Sequence, residues 1–309
     1  MSWLISFLAA AVVAGTPLLF GTLGEIVTEK AGHLNLGVEG IMLMGAVIGF
    51  MVGLKTGNPI LALIGAMSAG AAGALIYAFL TVGLRANQVV SGLTLTIFGS
   101  GFSSMVGAKM VGQIAPNSIK NFFDPINIPM LSKIPFLGPV FFTHDIFVYL
   151  GYICAVVLGI YLYKTSKGLN LTAVGENPAA ADAASINVNL YKYVHILLGG
   201  ALCGLGGAYL SLVYVPTWQD NVTAGRGWIA VALVIFAGWN PFKAIIGAFF
   251  FGGLDIIGFR LAKPIVSQYL IAAVPYIATF IILVVVSMKK SKKNAPPNAL
   301  GNAYFREER

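Results

Sequence analysis

The chain has 309 residues, of which 58% are hydrophobic and only 10% charged, with a mean hydropathy of +0.85. A soluble domain carries roughly 25% charged residues, so this chain cannot cover its own surface with polar groups and reads as an integral membrane protein. The net charge of +8 is scattered over short loops and one tail, which argues against nucleic-acid binding and fits the Lys/Arg bias that orients membrane spans.

Apolar runs occupy about 3–24, 38–54, 60–83, 88–108, 145–163, 193–215, 227–239, 243–259 and 268–288. A span needs roughly 20 mainly apolar residues. Backbone in lipid must satisfy its own hydrogen bonds, and these runs lack β alternation. Nine helices in an all-α polytopic fold are therefore predicted, with residues 1–288 as a single transmembrane domain. No basic residue precedes Lys30, so the charged start of a cleaved signal peptide is missing.

The first interruption is Gly32–Gly40, "GHLNLGVEG", joining spans one and two. Within it, Asn35 and Glu39 are candidates for the transport pathway, although Glu39 could instead cap the second helix, whose dipole favours an anion at its start. Span four opens with Asn87-Gln88 and continues through Ser91, Thr94 and Thr96. These could line a pathway, cap the helix or pack between helices. Residues 109–144 contain Pro116, Pro125, Pro129, Pro135 and Pro139 among apolar side chains, suiting a packed cap that serves as a connection or a docking surface. Cys154 and Cys203 lie inside apolar runs and read as small buried hydrophobes. The only histidines are His33, His144 and His195, and no CxxC or HExxH spacing occurs, so no metal site is expected.

Residues 164–192 hold a short helical signal. Asn177 suits an N-cap, Pro178 the first helical position, and five alanines between Ala179 and Ala184 favour about two turns. Glu176 and Asp182 add charge. So short a helix is marginal alone, which implies a partner to pack into. Asp255, inside span eight, is a pathway candidate because ionisable groups in a span are functional by default; it could also neutralise Arg260. Lys289, Lys290, Lys292 and Lys293 place the C-terminus in the cytoplasm, and nine spans then put the N-terminus outside. Residues 289–309, with Pro296-Pro297 and little apolar content, read as a disordered basic tail.

Asn58-Pro59-Ile60-Leu61-Ala62-Leu63-Ile64-Gly65-Ala66 and Asn240-Pro241-Phe242-Lys243-Ala244-Ile245-Ile246-Gly247-Ala248 share Asn-Pro, an alanine and Ile-Gly-Ala in one register, 182 residues apart. Five spans separate them, so the second copy is inverted. Inverted repeats are a transporter construction, with the substrate path at the repeat interface. Spans one to four match spans six to nine. The "GHLNLGVEG" join then corresponds to "PTWQDNVTAGRG" at 216–227, on the opposite side of the membrane.

Four stretches in order carry a family resemblance: "GEIVTEKAGHLNLGVEGIMLMGA" at 24–46, "NQVVSGLTLTIF" at 87–98, "LNLTAVGENPAAADAASINV" at 169–188 and "GRGWIAVALVIFAGWNPF" at 225–242. They resemble the membrane permease subunits of ABC importers in the branch carrying ribose-type sugars and nucleosides, and look most like the shorter of the paired nucleoside permeases. Sugar members carry "GIDLS"-like text at the position of Gly32–Leu36 and a longer N-terminal region. The resemblance implies a bacterial cell membrane protein without enzymatic activity of its own, consistent with the absence of a GxxxxGK[ST] loop. It also implies a separate ATPase that binds the ATP, an extracellular binding lipoprotein, a second permease subunit and a nucleoside cargo. Glu176, Asn177, Pro178, Ala180, Asp182 and Ser185 would form the coupling segment that fits a groove in the ATPase. A ribose-type permease and an ion-coupled secondary transporter are the alternatives.

Overall fold

The computed structural model describes residues 2–261, 273–281, 284 and 295–307. The chain begins with α1 (Ser2–Lys30), α2 (Val38–Thr56), α3 (Pro59–Ala78, continued by a π-helical turn at Phe79–Gly83) and α4 (Gln88–Gly107). A segment with α5 (Asn117–Phe122), α6 (Leu137–Phe141) and a two-stranded ribbon, Ile126–Asn127 against Thr143–His144, leads to α7 (Ile146–Lys164). Then follow α8 (Ser166–Glu176), α9 (Pro178–Ala183), α10 (Val188–Tyr209, continued by a π-helical turn at Leu210–Tyr214), α11 (Arg226–Ala237) and α12 (Pro241–Leu261). Residues 273–281 are helical.

The protein is a mostly helical, multi-pass membrane protein, but the count of nine full spans needs revision. Among the described residues, six helices are long and apolar enough to cross a membrane: α1, α2, α3, α4, α7 and α10. The run at 227–239 forms only the 12-residue α11, about 18 Å at 1.5 Å per residue, too short to span. The run at 268–288 falls partly outside the described residues. Exposed residues such as Ile60, Ile64, Ile97, Ile153 and Ile246 give the bundle the apolar exterior that lipid requires.

The halves pack as an inverted pair. The two most extensive helix pairings are α3 on α10 and α12 on α1: the third helix of each half lies on the first helix of the other. Gly70 and Gly252, 182 residues apart, sit at these two crossings. A Cβ on Gly70 would overlap Gly200 backbone, and one on Gly252 would overlap Ala11 and Gly15 backbone. Small residues at such crossings let helices approach closely where lipid offers no hydrophobic drive. The repeated Asn-Pro pairs act identically: Asn58 Oδ1 accepts from the Ile60 and Leu61 N–H groups, and Asn240 Oδ1 from those of Phe242 and Lys243.

One end of the bundle carries α8, α9, Gly32 and residues 295–307; the other carries 109–144. The proline-rich segment is packed at that second end. The Ala115 and Trp218 N–H groups donate to the Pro216 and Gln113 carbonyls, each at 3.0 Å. Ser118 Oγ also donates to the Gly57 carbonyl at 2.8 Å.

Candidate translocation pathway and coupling surface

The two polar joins do not lie on opposite sides; they meet inside the bundle. After α1, the chain turns at Gly32 and passes through irregular residues 33–37 into α2, so that Gly40 packs against Leu95, Thr96 and Gly99 of α4. That is 7 to 11 residues into α4, or about 10–16 Å at 1.5 Å per residue. From the other end, residues 215–225 also turn inward, and α11 begins at Arg226 beside Glu39. The Glu39 carboxylate accepts from Thr223 Oγ1 at 2.5 Å and from the Gly225 N–H at 2.8 Å with Oε1, and from the Gly227 N–H at 2.6 Å with Oε2. Glu39 therefore caps a helix, but the helix is α11 of the opposite repeat; α2 has no side-chain cap. The unsatisfied N–H groups and positive dipole end of α11 explain the carboxylate there. Gly227 is required by the close approach, because a Cβ would overlap the Glu39 backbone.

The rest of the first join is held by a polar lattice. The Asn35 N–H donates to Glu25 Oε1 at 2.8 Å, and Asn35 Oδ1 accepts from the Gly37 N–H at 2.9 Å. Gln88 Oε1 accepts from the Leu34 N–H at 2.7 Å. Tyr77 Oη donates to the Leu34 carbonyl at 2.6 Å, and Thr96 Oγ1 to that of Leu36 at 3.0 Å. Asn35, Gln88 and Thr96 thus satisfy re-entrant backbone, which is tolerated at membrane depth only when protein covers it. His33, in the join between the two helices, is buried. Burial holds it well below the ordinary histidine value, and the charge of Lys192 adds to the effect.

Asp255 does reach the site, through Arg226. Arg226 Nη2 donates to Asp255 Oδ2 at 2.8 Å, with both side chains partly exposed. The guanidinium lies over the Tyr214 ring, and Tyr276 Oη donates to the Ala224 carbonyl at 3.0 Å. The second join, Thr223, Arg226, Asp255, Tyr214 and Tyr276 therefore form one polar and aromatic cluster around the start of α11. On α4, Asn87 is an exposed N-cap accepting from the Val90 N–H at 3.0 Å. Thr94 is exposed and donates to the Val90 carbonyl, whereas Ser91 is buried. The exposed positions Val90, Thr94, Ile97, Gly101 and Met105 fall on one face of α4.

Several residues of this region are not singled out in the sequence, among them Glu25, Glu29, Thr223 and Arg226. Glu29 Oε2 accepts from Trp239 Nε1 at 2.5 Å, tying the end of α1 to the end of α11. The available signal was a pair of acids at i and i+4 in an otherwise apolar helix. An apolar run at 3–24 stops short of both acids, whereas α1 continues to Lys30.

The 164–192 segment, expected to couple to an ATPase, forms two helices rather than one. Asn177 Oδ1 accepts from the Ala180 N–H at 3.0 Å, with Pro178 at the first position of α9. α8 precedes it and was not anticipated. Asn177, Ala180, Ala183, Ala184 and Ser185 are exposed. Glu176 and Asp182 instead engage the C-terminal segment. Glu176 Oε2 accepts from the Asn298 N–H at 3.3 Å, and Asp182 Oδ2 accepts from Tyr304 Oη at 2.8 Å and Arg306 Nε at 3.1 Å. Residues 295–307 thus lie in place on the protein, where disorder was expected; 289–294 fall outside the described residues.

The family model described as branched-chain amino acid transport system / permease component matches residues 7–286. A Haloferax volcanii protein provisionally named glucose ABC transporter permease protein TsgC13 is 37% identical, covering 99% of both chains. The guanosine ABC transporter permease protein NupQ of Bacillus subtilis is 35% identical over 89% of both chains. The nucleoside ABC transporter permease protein NupC of Lactococcus lactis is also 35% identical, over 89% of this chain and 90% of its own. Among solved structures, an inward-facing ABC transporter provisionally of metal-chelate type matches the fold with a TM-score of 0.50 over 92% of this chain and 85% of that one, at 13% identity. The chain belongs to the branched-chain amino acid transport system / permease component family, and is a membrane permease subunit of an ABC importer rather than an enzyme.

Proposed function

We propose that this permease forms one half of the pathway by which a nucleoside, delivered by an extracellular binding protein, crosses a bacterial cell membrane. The α8–α9 end and the C-terminus face the cytoplasm, and the N-terminus faces outside. A separate ATPase binds the ATP and docks on the exposed face of α9 at Asn177, Ala180 and Ser185. A second permease subunit covers the exposed face of α4, leaving Asn87 and Thr94 along the shared path.

The observation that carries the mechanism is the meeting of the two joins at Glu39. Two broken helices from opposite repeats share one carboxylate at depth, which suits a bistable gate at the repeat interface. ATP-driven closure would push α8 and α9, tilt α1 and α10, and change the separation of the joins. The Arg226–Asp255 pair with Tyr214 and Tyr276 offers donors, acceptors and ring faces to a flat neutral ligand. The relatives named for guanosine and nucleosides support that cargo. The relative named for glucose supports a sugar as the second reading. Uptake of radiolabelled guanosine and glucose in cells with and without this chain separates them: loss of guanosine uptake alone is expected, and loss of glucose uptake alone would overturn the nucleoside assignment.

A further inference from the structure

α9 packs mainly on α8 and α10, not on α4, so a push on α9 has no broad surface through which to reach the helix proposed to line the path. Between α9 and the start of α4 is a cavity of about 740 Å³ lined by Arg85, Asp182, Asn189, Tyr193, Tyr304 and Arg306. The C-terminal segment forms one wall of this cavity, through Tyr304 and Arg306. At one side it holds the coupling helices, through the Ala299 N–H on the Gly175 carbonyl at 3.0 Å and the two groups on Asp182. At the other, Phe305 lies under the Arg85 guanidinium at 4.8 Å, and the Asn302 carbonyl accepts from Gln88 Nε2 at 3.5 Å. Ala299 also lies beside Gly32 at the turn of the first join, where an added Cβ on Gly32 would meet its carbonyl oxygen at 3.6 Å. Lys192 of α10 lies over the Tyr304 ring at 5.9 Å.

We infer that residues 295–307 are a mechanical strap of the transport cycle, linking α9 to the start of α4 and to the first join. The inference rests on α9 being the coupling helix. The strap leaves Asn177, Ala180, Ala183 and Ser185 exposed, so it transmits the ATPase's motion without occupying its docking face. Gln88 is the hinge point: the same side chain that accepts from the Leu34 N–H also meets the strap. A shift of Asp182 thus reaches both α4 and the re-entrant backbone.

The test uses the whole importer in proteoliposomes, with radiolabelled guanosine and glucose as the probes. The Tyr304→Phe/Arg306→Gln double variant removes both groups from Asp182 but keeps the apolar strap. ATPase co-purification and basal ATP hydrolysis should be unchanged, while uptake of the transported probe falls by roughly fivefold or more, the lower range of coupling between separate sites. A second set guards against simple misfolding: Asp182→Arg should lose uptake, and Asp182→Arg combined with Arg306→Asp should regain part of it. Wild-type uptake in the double variant would overturn the inference, as would loss of ATPase co-purification together with uptake. Ala180→Trp serves as the control for the underlying reading: if it blocks uptake and the strap variants do not, only the strap role fails.

Discussion

Replacing Glu39 gives the sharpest test of how the two joins are held. Its carboxylate accepts three hydrogen bonds, from Thr223 and the Gly225 and Gly227 N–H groups, and the side chain is 5% exposed. In Glu39→Ala the Thr223 hydroxyl and the Gly227 N–H are left buried, at about 1–3 kcal/mol apiece, while the half-buried Gly225 N–H can turn to water. The summed loss of about 2–6 kcal/mol is a large fraction of the stability of a typical domain, about 5–15 kcal/mol. Glu39→Gln should cost less. One amide oxygen can serve Thr223 and Gly225, but the amide NH₂ then faces the Gly227 N–H, giving one opposed pair and a loss of about 1–3 kcal/mol. The assay is thermal unfolding of the detergent-purified protein, monitored by fluorescence size-exclusion, alongside membrane yield. The expected order is wild type, Glu39→Gln, then Glu39→Ala with little folded protein. If Glu39→Ala unfolds like wild type and only the apparent KM for cargo rises, Glu39 binds cargo and the capping account is wrong.

Further predictions follow from other contacts. Ala180→Trp or Asp182→Trp should abolish uptake while membrane insertion, read by fractionation, stays normal; unchanged transport in both would remove α9 from coupling. Gly70→Leu and Gly252→Leu occupy equivalent crossings of the two repeats, so each should destabilise by about 1–3 kcal/mol or more through overpacking, and tolerance at one site alone would break the equivalence. Asp255→Asn should cost no more than about 1 kcal/mol in stability, because its ion pair is partly exposed, while reducing cargo uptake. His33 is held neutral by burial, so the unfolded chain takes up the extra proton. The His33 contribution, read as the difference between wild type and His33→Asn, should be level above about pH 6.5, the unfolded histidine value, and fall as pH drops below it. A difference in unfolding temperature between wild type and His33→Asn that is the same at pH 5 and pH 7.5 would contradict this.

The apolar runs, the inverted Asn-Pro register and the cap at Asn177 were legible because each is a local pattern with one physical cause. Glu39 was legible as a helix cap, but not which helix it caps. A dipole argument applies to the nearest N-terminus in sequence, whereas α11 lies 188 residues away along the chain from Gly227 back to Glu39. Hydropathy also could not show that the two joins turn back into the bundle, since polar, glycine-rich text suits a surface loop equally well. The strap was misread for a related reason. Its composition is that of a disordered tail, and only the position of Gln88, Asp182 and Arg85 in three dimensions gives Asn302, Tyr304, Phe305 and Arg306 partners.

The most direct test is uptake of radiolabelled guanosine into proteoliposomes holding this permease with the proposed second permease subunit and ATPase, and the proposed binding protein added outside. Accumulation should require ATP, the ATPase subunit and the binding protein together, and should be indifferent to ionophores that collapse ion gradients. Guanosine accumulation by this chain that follows an ion gradient without ATP would contradict it.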